Sequence, residues 1–251
     1  MRKIIFFLYI FLNFTTSFSQ QVHVRYKNVR SPIVSVYEDL YINRKNQVIS
    51  IQDSILIYAP SPSSEISVLS KPRSNSAPSK ISYISDINTE SKEKRNFFFN
   101  SYIGGKFFFV FDEVIRPEWI IDYSEMTKIA GYKCIKATTR YRGTEIEAYF
   151  TKDLPYDAGP FKFYGLPGLI LFVKEKGNSF NIWKAESVDL NDKKVLEFKP
   201  KFPNFEKIGI KEFVEKRDEK FNNVSQINNG VKIKVSSQKQ MSIEKIYEWE
   251  K

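Results

Sequence analysis

Residues 132–151 read YKCIKATTRYRGTEIEAYFT, and this stretch decides the fold class because it specifies a β-hairpin together with its register. If the chain turns at Arg142 and Gly143, apolar residues face apolar residues and opposite charges meet: Ile135 faces Phe150, Ala137 faces Ala148, Thr139 faces Ile146 and Arg140 faces Glu145. A register shifted by one residue would mix the two faces of the hairpin. In the favoured register Cys134 lies on the more polar face, and Arg142 is not a residue that such a turn prefers.

Other strand signals extend on both sides of this hairpin. Gly104 and Gly105 separate two aromatic runs, residues 97–99 and 107–111, and this pattern predicts a second hairpin whose two faces are both covered. Apolar residues recur at helical spacing in residues 207–221. The sequence therefore predicts a mainly β fold, an antiparallel and strongly curved sheet or open barrel with one or two C-terminal helices packed on it.

The N-terminus has the features of a secretory signal peptide. Arg2 and Lys3 precede an apolar run, residues 4–12, that is too short to span a bilayer, and small residues suit cleavage before Gln20. We therefore expect residues 1–19 to be removed and residues 20–251 to form a single β-rich domain. This domain would be periplasmic or secreted, with no transmembrane segment after cleavage. Residues 59–79 are rich in Ser and Pro and are predicted to be a mobile loop.

The composition argues against several kinds of site. There is one cysteine, Cys134, and one histidine, His23, so zinc sites, Cys–His catalysis and paired-cysteine haem attachment lack residues. The formal net charge is +10, but the lysines alternate with acidic residues, which is typical of a solvated surface. We expect no metal, no cofactor and no nucleic-acid partner, and we expect Cys134 to be an inert thiol rather than a redox group.

Residues 151–169 interrupt the strand pattern. This segment contains three prolines, three glycines and four aromatic residues, so it should be ordered despite its length. The sequence from Leu166 to Leu169 suits a type II β-turn with Pro167 and Gly168 at its centre. The segment is either a functional loop or a structural crossover whose aromatic residues fill the core, and the sequence does not decide between the two.

This segment resembles the GLPGLI family of exported proteins, which occurs mainly in Bacteroidetes. The residues that carry the resemblance match the family motif and its flank: Gly159, Pro160, Gly165, Leu166, Pro167, Gly168, Leu169 and Ile170. The likeness is dense over residues 115–175, where Trp119 also matches, and it is weak after Val188. Tyr149 and Phe150 stand where the family usually has Trp-Tyr. The resemblance implies export and a shared fold, but it supplies no reaction.

Three functions are compatible with these features. The first is a non-enzymatic envelope module that binds a small molecule, a peptide or another envelope protein, with these aromatic residues as candidate contacts: Trp119, Tyr149, Tyr156, Phe163 and Tyr164. The second is a hydrolase of envelope polymers that uses carboxylates near the loop: Glu147, Asp153 and Asp157. The third is an accessory partner of an outer-membrane transporter that pairs through an exposed sheet edge.

Overall fold

The computed structural model describes residues 21–32, 34–54, 57–58, 80–88, 91–224 and 242–250. The predicted signal peptide, residues 1–19, and the Ser- and Pro-rich loop, residues 59–79, lie outside the described residues. No helix in the described part of the chain is both long enough and apolar enough to cross a membrane.

In the part of the chain that the structure describes, thirteen strands form one sheet and are numbered in chain order: β1 Gln21–Ser31, β2 Val34–Ile42, β3 Gln47–Gln52, β4 Ile57–Tyr58, β5 Ile81–Asp86, β6 Lys94–Ile103, β7 Lys106–Ile115, β8 Ile120–Ile129, β9 Tyr132–Tyr141, β10 Thr144–Thr151, β11 Leu169–Glu175, β12 Ile182–Asp192 and β13 Glu206–Gly209. Their spatial order is β13-β7-β6-β5-β3-β2-β1-β12-β11-β10-β9-β8, and the short β4 pairs with β2 outside this path. The fold is thus mainly β, as predicted.

Two parts of the fold-class prediction need correction. The sheet is mixed, because β13 runs parallel to β7 while the other pairs are antiparallel. A long connection between β12 and β13 lets the chain cross to the edge of β7, where β13 pairs in parallel. Among the described residues the end strands β13 and β8 do not pair with each other, so the sheet is not closed into a barrel.

The predicted hairpins are confirmed. Strands β9 and β10 pair in the register that the sequence favoured, with Ala137 opposite Ala148 and Arg140 opposite Glu145. Strands β6 and β7 form the hairpin around Gly104 and Gly105. The placement of Cys134 was wrong, however, because its side chain is buried in the core. The inward and outward alternation breaks between Cys134 and Ala137, beside a register shift in β8.

The sheet is not flat. Arg142, in the turn between β9 and β10, contacts Asp112 on β7 at 2.7 Å, although β10 and β7 are eight positions apart in the strand order. In a flat sheet with about 4.8 Å between strands, these two positions would be roughly 40 Å apart. The sheet must therefore bend toward the face that carries both side chains, which we call the inner face.

Both faces of the aromatic hairpin β6–β7 are packed, but not equally. On the outer face Phe98, Phe109 and Phe202 form a cluster, and Phe202 comes from the segment between β12 and β13. Phe107 and Phe111 remain 41% exposed. The prediction that both faces are covered therefore holds in the middle of the hairpin and fails toward its ends.

The predicted C-terminal helix is α1, Ile210–Val224, which follows β13 directly. Phe213 and Val214 on α1 pack against Phe99, Phe108 and the C-terminal segment on the inner face. That segment, residues 242–250, ends in a short 3-10 helix, Glu248–Glu250, and lies against the β9–β10 turn. A covering helix on one side and a long loop on the other thus share the inner face.

Candidate functional site

The loop between β10 and β11 is buried against the inner face, and we call residues 152–168 the plug. Leu154, Phe163, Tyr164 and Leu166 are all at most 4% exposed. The hydroxyl of Tyr164 donates a hydrogen bond to the backbone carbonyl of Val114 on β7 at 2.7 Å. The plug therefore belongs to the core rather than to a free surface loop.

Three charged side chains on the inner face hold the plug. Arg95 on β6 donates hydrogen bonds to the backbone carbonyl of Asp157 at 2.6 Å and to its carboxylate at 3.1 Å. Asp112 on β7 accepts a hydrogen bond from Lys162 at 2.6 Å. The third is Glu38 on β2, which binds the plug backbone. A charged group on the buried inner face destabilises the fold unless it is paired. These contacts therefore fix the position of the plug.

Glu38 is fully buried and accepts hydrogen bonds from several elements. The backbone N–H of Phe161 donates to Oε1 at 2.5 Å, the Ser50 hydroxyl donates to Oε1 at 2.6 Å, and the Trp183 indole N–H donates to Oε2 at 2.8 Å. The side chain of Asn28 also donates to this carboxylate. Burial raises the pKa of Glu38, and the hydrogen bonds oppose only part of that effect.

A buried ionic cluster joins the plug to the hairpin turn and the C-terminal segment. Arg142 binds Asp112 at 2.7 Å and Glu244 at 2.5 Å, and Lys162 also binds Glu244 at 2.5 Å. Burial alone would raise the pKa of Asp112, but the charges of Lys162 and Arg142 outweigh it and lower that pKa to about 2. The pKa of Glu244 is lowered by the same two cations against its burial. Two buried anions and two buried cations therefore compensate each other.

A cavity of about 600 Å³ separates the plug from α1 on the inner face. Its size suits a small organic ligand. Six aromatic residues line it: Tyr83, Phe99, Phe161, Trp183, Phe213 and Tyr247. The polar side chains in its wall include Asn28, Gln52, Ser101, Asn181 and Arg217. Arg30, Lys162 and Glu244 also line it, so the cavity combines an aromatic wall with polar and charged groups.

Phe161 connects the plug to this cavity. Its φ of 56° lies in the left-handed region, which a bulky residue rarely adopts. The hydrogen bond from the Phe161 N–H to Glu38 holds this conformation. The centroid of the Phe161 ring lies 5.0 Å from that of Tyr83, in an edge-on arrangement, and 5.9 Å from that of Trp183. The plug thus contributes a strained aromatic residue to the cavity wall.

A larger depression of about 890 Å³ lies beside the β9–β10 hairpin. Its wall contains one aromatic residue, Tyr141, and many charged ones, among them Arg140, Glu145 and Lys176. Arg140 lies opposite Glu145 in the hairpin, and Lys176 forms an ion pair with Glu145 at 3.4 Å. We therefore consider the smaller cavity the better candidate, because its aromatic wall can enclose a ligand.

The five aromatic residues proposed as ligand contacts are not assembled around this cavity. Phe163 and Tyr164 are in the core of the plug. The Trp119 indole N–H donates to the Tyr164 carbonyl at 2.8 Å. Tyr149 packs on Phe172, and Tyr156 is a half-buried residue of the plug. None of the five lines the 600 Å³ cavity. Their role in binding stays a prediction.

The motif glycines allow close packing. A Cβ on Gly168 would lie 2.0 Å from the Thr151 carbonyl oxygen, and one on Gly159 would lie 2.9 Å from Ile170. The type II turn was wrong. The Gly168 N–H donates to the Leu166 carbonyl, which closes a three-residue γ-turn around Pro167, and the Leu169 N–H donates to the Leu154 carbonyl instead.

The three carboxylates considered for hydrolysis have separate surroundings. Asp157 is paired with Arg95 and Arg116, and Glu147 is paired with lysines on the outer side of β10. Asp153 is exposed. None of the three lines the cavity, and no group of His, Cys, Asp or Glu in the described residues could hold a metal.

The sequence contains a signal for the three charged residues that hold the plug, although the sequence analysis did not identify them. Glu38 has the same strand parity as Val36 and Leu40, and Asp112 has the same parity as Val110 and Val114. A charged residue inside an apolar alternation is a candidate for a buried partner. Arg95 follows the same rule relative to Phe97 and Phe99 on β6.

Comparison with known protein families gives a match to part of the chain. A family model described as "Protein of unknown function (Porph_ging)" matches residues 140–172, which cover β10 and the plug. That match agrees with a family found in Bacteroidetes, but it does not identify the GLPGLI family. No curated protein matches the chain.

Two solved structures share the fold. PNGF-II in space groups P21 and C2 superposes with TM-scores of 0.51 and 0.50, at 17% sequence identity and over 78% of this chain. The chain spans about a third of PNGF-II, 33% and 32% of the two chains. This likeness is one of fold alone.

Proposed function

We propose that this protein is an exported, non-enzymatic binding module that holds a small organic molecule in the 600 Å³ cavity between the plug and α1. The observation that carries this proposal is the wall of six aromatic side chains, contributed by the sheet, the plug, α1 and the C-terminal segment. Such a wall suits a ligand with an apolar or aromatic body.

Export is part of the same proposal. It is supported by the basic and apolar N-terminal residues and by the resemblance of the plug to the GLPGLI motif. The intact mass of protein recovered from its native envelope tests it. Removal of residues 1–19, which leaves Gln20 at the N-terminus, is the expected result, and an uncleaved chain in the cytoplasm would contradict it.

Ligand binding can be tested with N-phenyl-1-naphthylamine, a neutral aromatic probe that fluoresces in apolar surroundings. We expect it to bind the purified protein with micromolar affinity. Ser101 lines the cavity, so Ser101→Phe should fill it and weaken binding at least ten-fold. The control is Thr127→Phe on β8, an exposed position away from the cavity, which should leave the affinity unchanged. Absence of probe binding, or equal binding by both variants, would refute the cavity as the site.

A second candidate function is favoured by the free edge of β8. This strand ends the sheet, and α1 packs at the opposite end against β13, β7 and β6. Its residues Ile120, Tyr123 and Met126 are 74%, 54% and 46% exposed. A partner could add a strand here, as in β-augmentation. Ile121→Pro and Tyr123→Pro would each block such pairing, and retention of an envelope partner by both variants would dismiss this function.

A further inference from the structure

The charged side chains in the wall of the 600 Å³ cavity differ in how they are paired. Three cations and one anion line the cavity: Arg30, Lys162, Arg217 and Glu244. Lys162 binds Glu244 at 2.5 Å, and Arg217 on α1 binds Asp218 at 2.9 Å. The guanidinium of Arg30 forms no hydrogen bond or ion pair with any residue that the structure describes. Within the described wall, its positive charge is therefore the one that no acid compensates.

Arg30 lies at a β-bulge near the end of β1. Val29 pairs with Ser35 and Ser31 pairs with Val34, so the register of β1 against β2 slips by one residue at Arg30. Bulges commonly redirect a side chain next to a binding site. Arg30 lines the cavity and is exposed, whereas Asn28, two residues earlier on β1, lines it and is buried. Arg30 therefore lies where the cavity opens to solvent.

The charge of Arg30 acts on the aromatic wall of the cavity. Burial and the carboxylate of Glu38 raise the pKa of the Tyr83 hydroxyl, and the positive charge of Arg30 lowers it. Tyr83 lines the cavity and packs edge-on against the Phe161 ring. A guanidinium beside such a wall can bind a carboxylate through two parallel hydrogen bonds while the rings hold the apolar part of the same molecule.

From this arrangement we infer that the cavity takes ligands whose apolar body carries an anionic group such as a carboxylate, and that Arg30 binds this group at the opening. The inference rests on the proposed function of the cavity and adds a charge class to its ligand. The aromatic side chains contribute affinity for the body of the ligand, and Arg30 distinguishes an anionic ligand from a neutral one of the same shape.

Two probes of the same shape and different charge test this selectivity. 2-Naphthoate carries a carboxylate, and 2-naphthamide carries a neutral amide of similar size in its place. In competition against N-phenyl-1-naphthylamine at low ionic strength, wild-type protein should bind 2-naphthoate about ten-fold more tightly. Added salt should reduce this preference, because Arg30 is exposed and its charge is screened.

Two variants on β1 test whether Arg30 is the residue responsible. Arg30→Gln should bring the ratio of the two affinities to about one and leave the affinity for 2-naphthamide nearly unchanged. The matched control is Lys27→Gln, because Lys27 is an exposed cation on the same strand and does not line the cavity. It removes the same net charge and should keep the ratio of the wild type. An equal loss of preference in both variants would assign it to the net charge of the protein and overturn the role of Arg30.

The outcomes separate this inference from the proposed function. If N-phenyl-1-naphthylamine binds and Ser101→Phe weakens its binding, but 2-naphthoate competes no better than 2-naphthamide, the cavity is a ligand site and the inference about Arg30 is wrong. A preference for 2-naphthoate that survives in Arg30→Gln overturns the inference as well. If N-phenyl-1-naphthylamine does not bind, the proposed function fails and the inference fails with it.

Discussion

Arg142 at the tip of the β9–β10 hairpin binds Asp112 on β7 through two hydrogen bonds of 2.8 and 2.7 Å. Arg142 has a φ of 42° and lies in the left-handed region, where a hairpin turn prefers Asn or Gly. The unusual turn residue is explained by its side chain, which reaches across the inner face. This contact joins two parts of the sheet that the strand order places far apart.

Replacement of Arg142 should be strongly destabilising. Arg142→Met would leave Asp112 and Glu244 buried with one cation, Lys162, and breaking a buried pair costs about 3–5 kcal/mol. The free energy of unfolding from urea titration measures this loss. Arg140→Met, at an exposed position on β9 two residues before Arg142, should change it by less than about 1 kcal/mol. Equal effects of the two variants would mean that the cluster does not hold the hairpin.

Stability should fall in acid because of Asp112. Its pKa is about 2 in the folded protein against an ordinary value of 3.8, so the unfolded chain takes up the proton first. The stabilisation is therefore complete above about pH 4 and is lost as the pH falls toward 2, by roughly 2 kcal/mol. The raised pKa of Glu38 has the opposite effect and acts at higher pH: as the pH falls toward 4.5, the folded protein takes up this proton before the unfolded chain does, and stability rises.

A comparison of wild type with Asp112→Asn isolates this contribution. The slope of unfolding free energy against pH between 4 and 2 should be smaller in the variant. An unchanged slope would assign the acid sensitivity to other carboxylates.

Gly168 in the plug should not tolerate a side chain. A Cβ there would lie 2.0 Å from the Thr151 carbonyl oxygen, and this backbone atom cannot move away without disturbing β10. We expect Gly168→Ala to cost more than about 3 kcal/mol in thermal or urea unfolding. Gly209→Ala is the control, because a Cβ at Gly209 would meet no atom within 4 Å. Similar stability of both variants would contradict the close packing of the plug.

Cys134 should be unreactive in the folded protein. It is fully buried, and burial raises the pKa of its thiol to about 11. A thiol reagent such as Ellman's reagent should label it only as fast as the protein unfolds, and urea should accelerate the labelling. Rapid labelling of native protein at neutral pH would instead indicate an accessible thiol.

The pairing of strands that are adjacent in sequence could be predicted, because residues that face each other in a hairpin must match in polarity. The register of β9 and β10 followed from residues such as Ala137 and Ala148, which face one another across a two-residue turn. The helix over residues 207–221 followed from apolar spacing, and its observed bounds are Ile210–Val224. Short-range patterns were sufficient for both.

Long-range relationships could not be predicted in the same way. The pairing of β1 with β12 joins Asn28 to Trp183, and the strand pattern of neither residue indicates the other. The turn at Pro167 was misassigned because the Leu169 N–H is taken by Leu154, on the far side of the plug. The cavity escaped prediction for the same reason, since its wall combines residues from β1, β12, the plug and α1.

The candidate contacts proposed from the sequence were chosen because they are aromatic and close to the motif. Phe163 and Tyr164 are instead core residues, since a plug that seals the inner face must bury its largest side chains. The more informative signal was the charge at inward positions. Glu38 on β2 leads directly to Phe161 and thus to the cavity wall.

A crystal structure of the protein with N-phenyl-1-naphthylamine is the most direct test that the inner-face cavity is a ligand site. We expect the naphthyl ring to lie against the aromatic wall formed by Phe161, Trp183, Phe213 and Tyr247. Electron density for the probe in the depression beside Ile120 and Ile246, or an empty cavity at saturating probe, would contradict it.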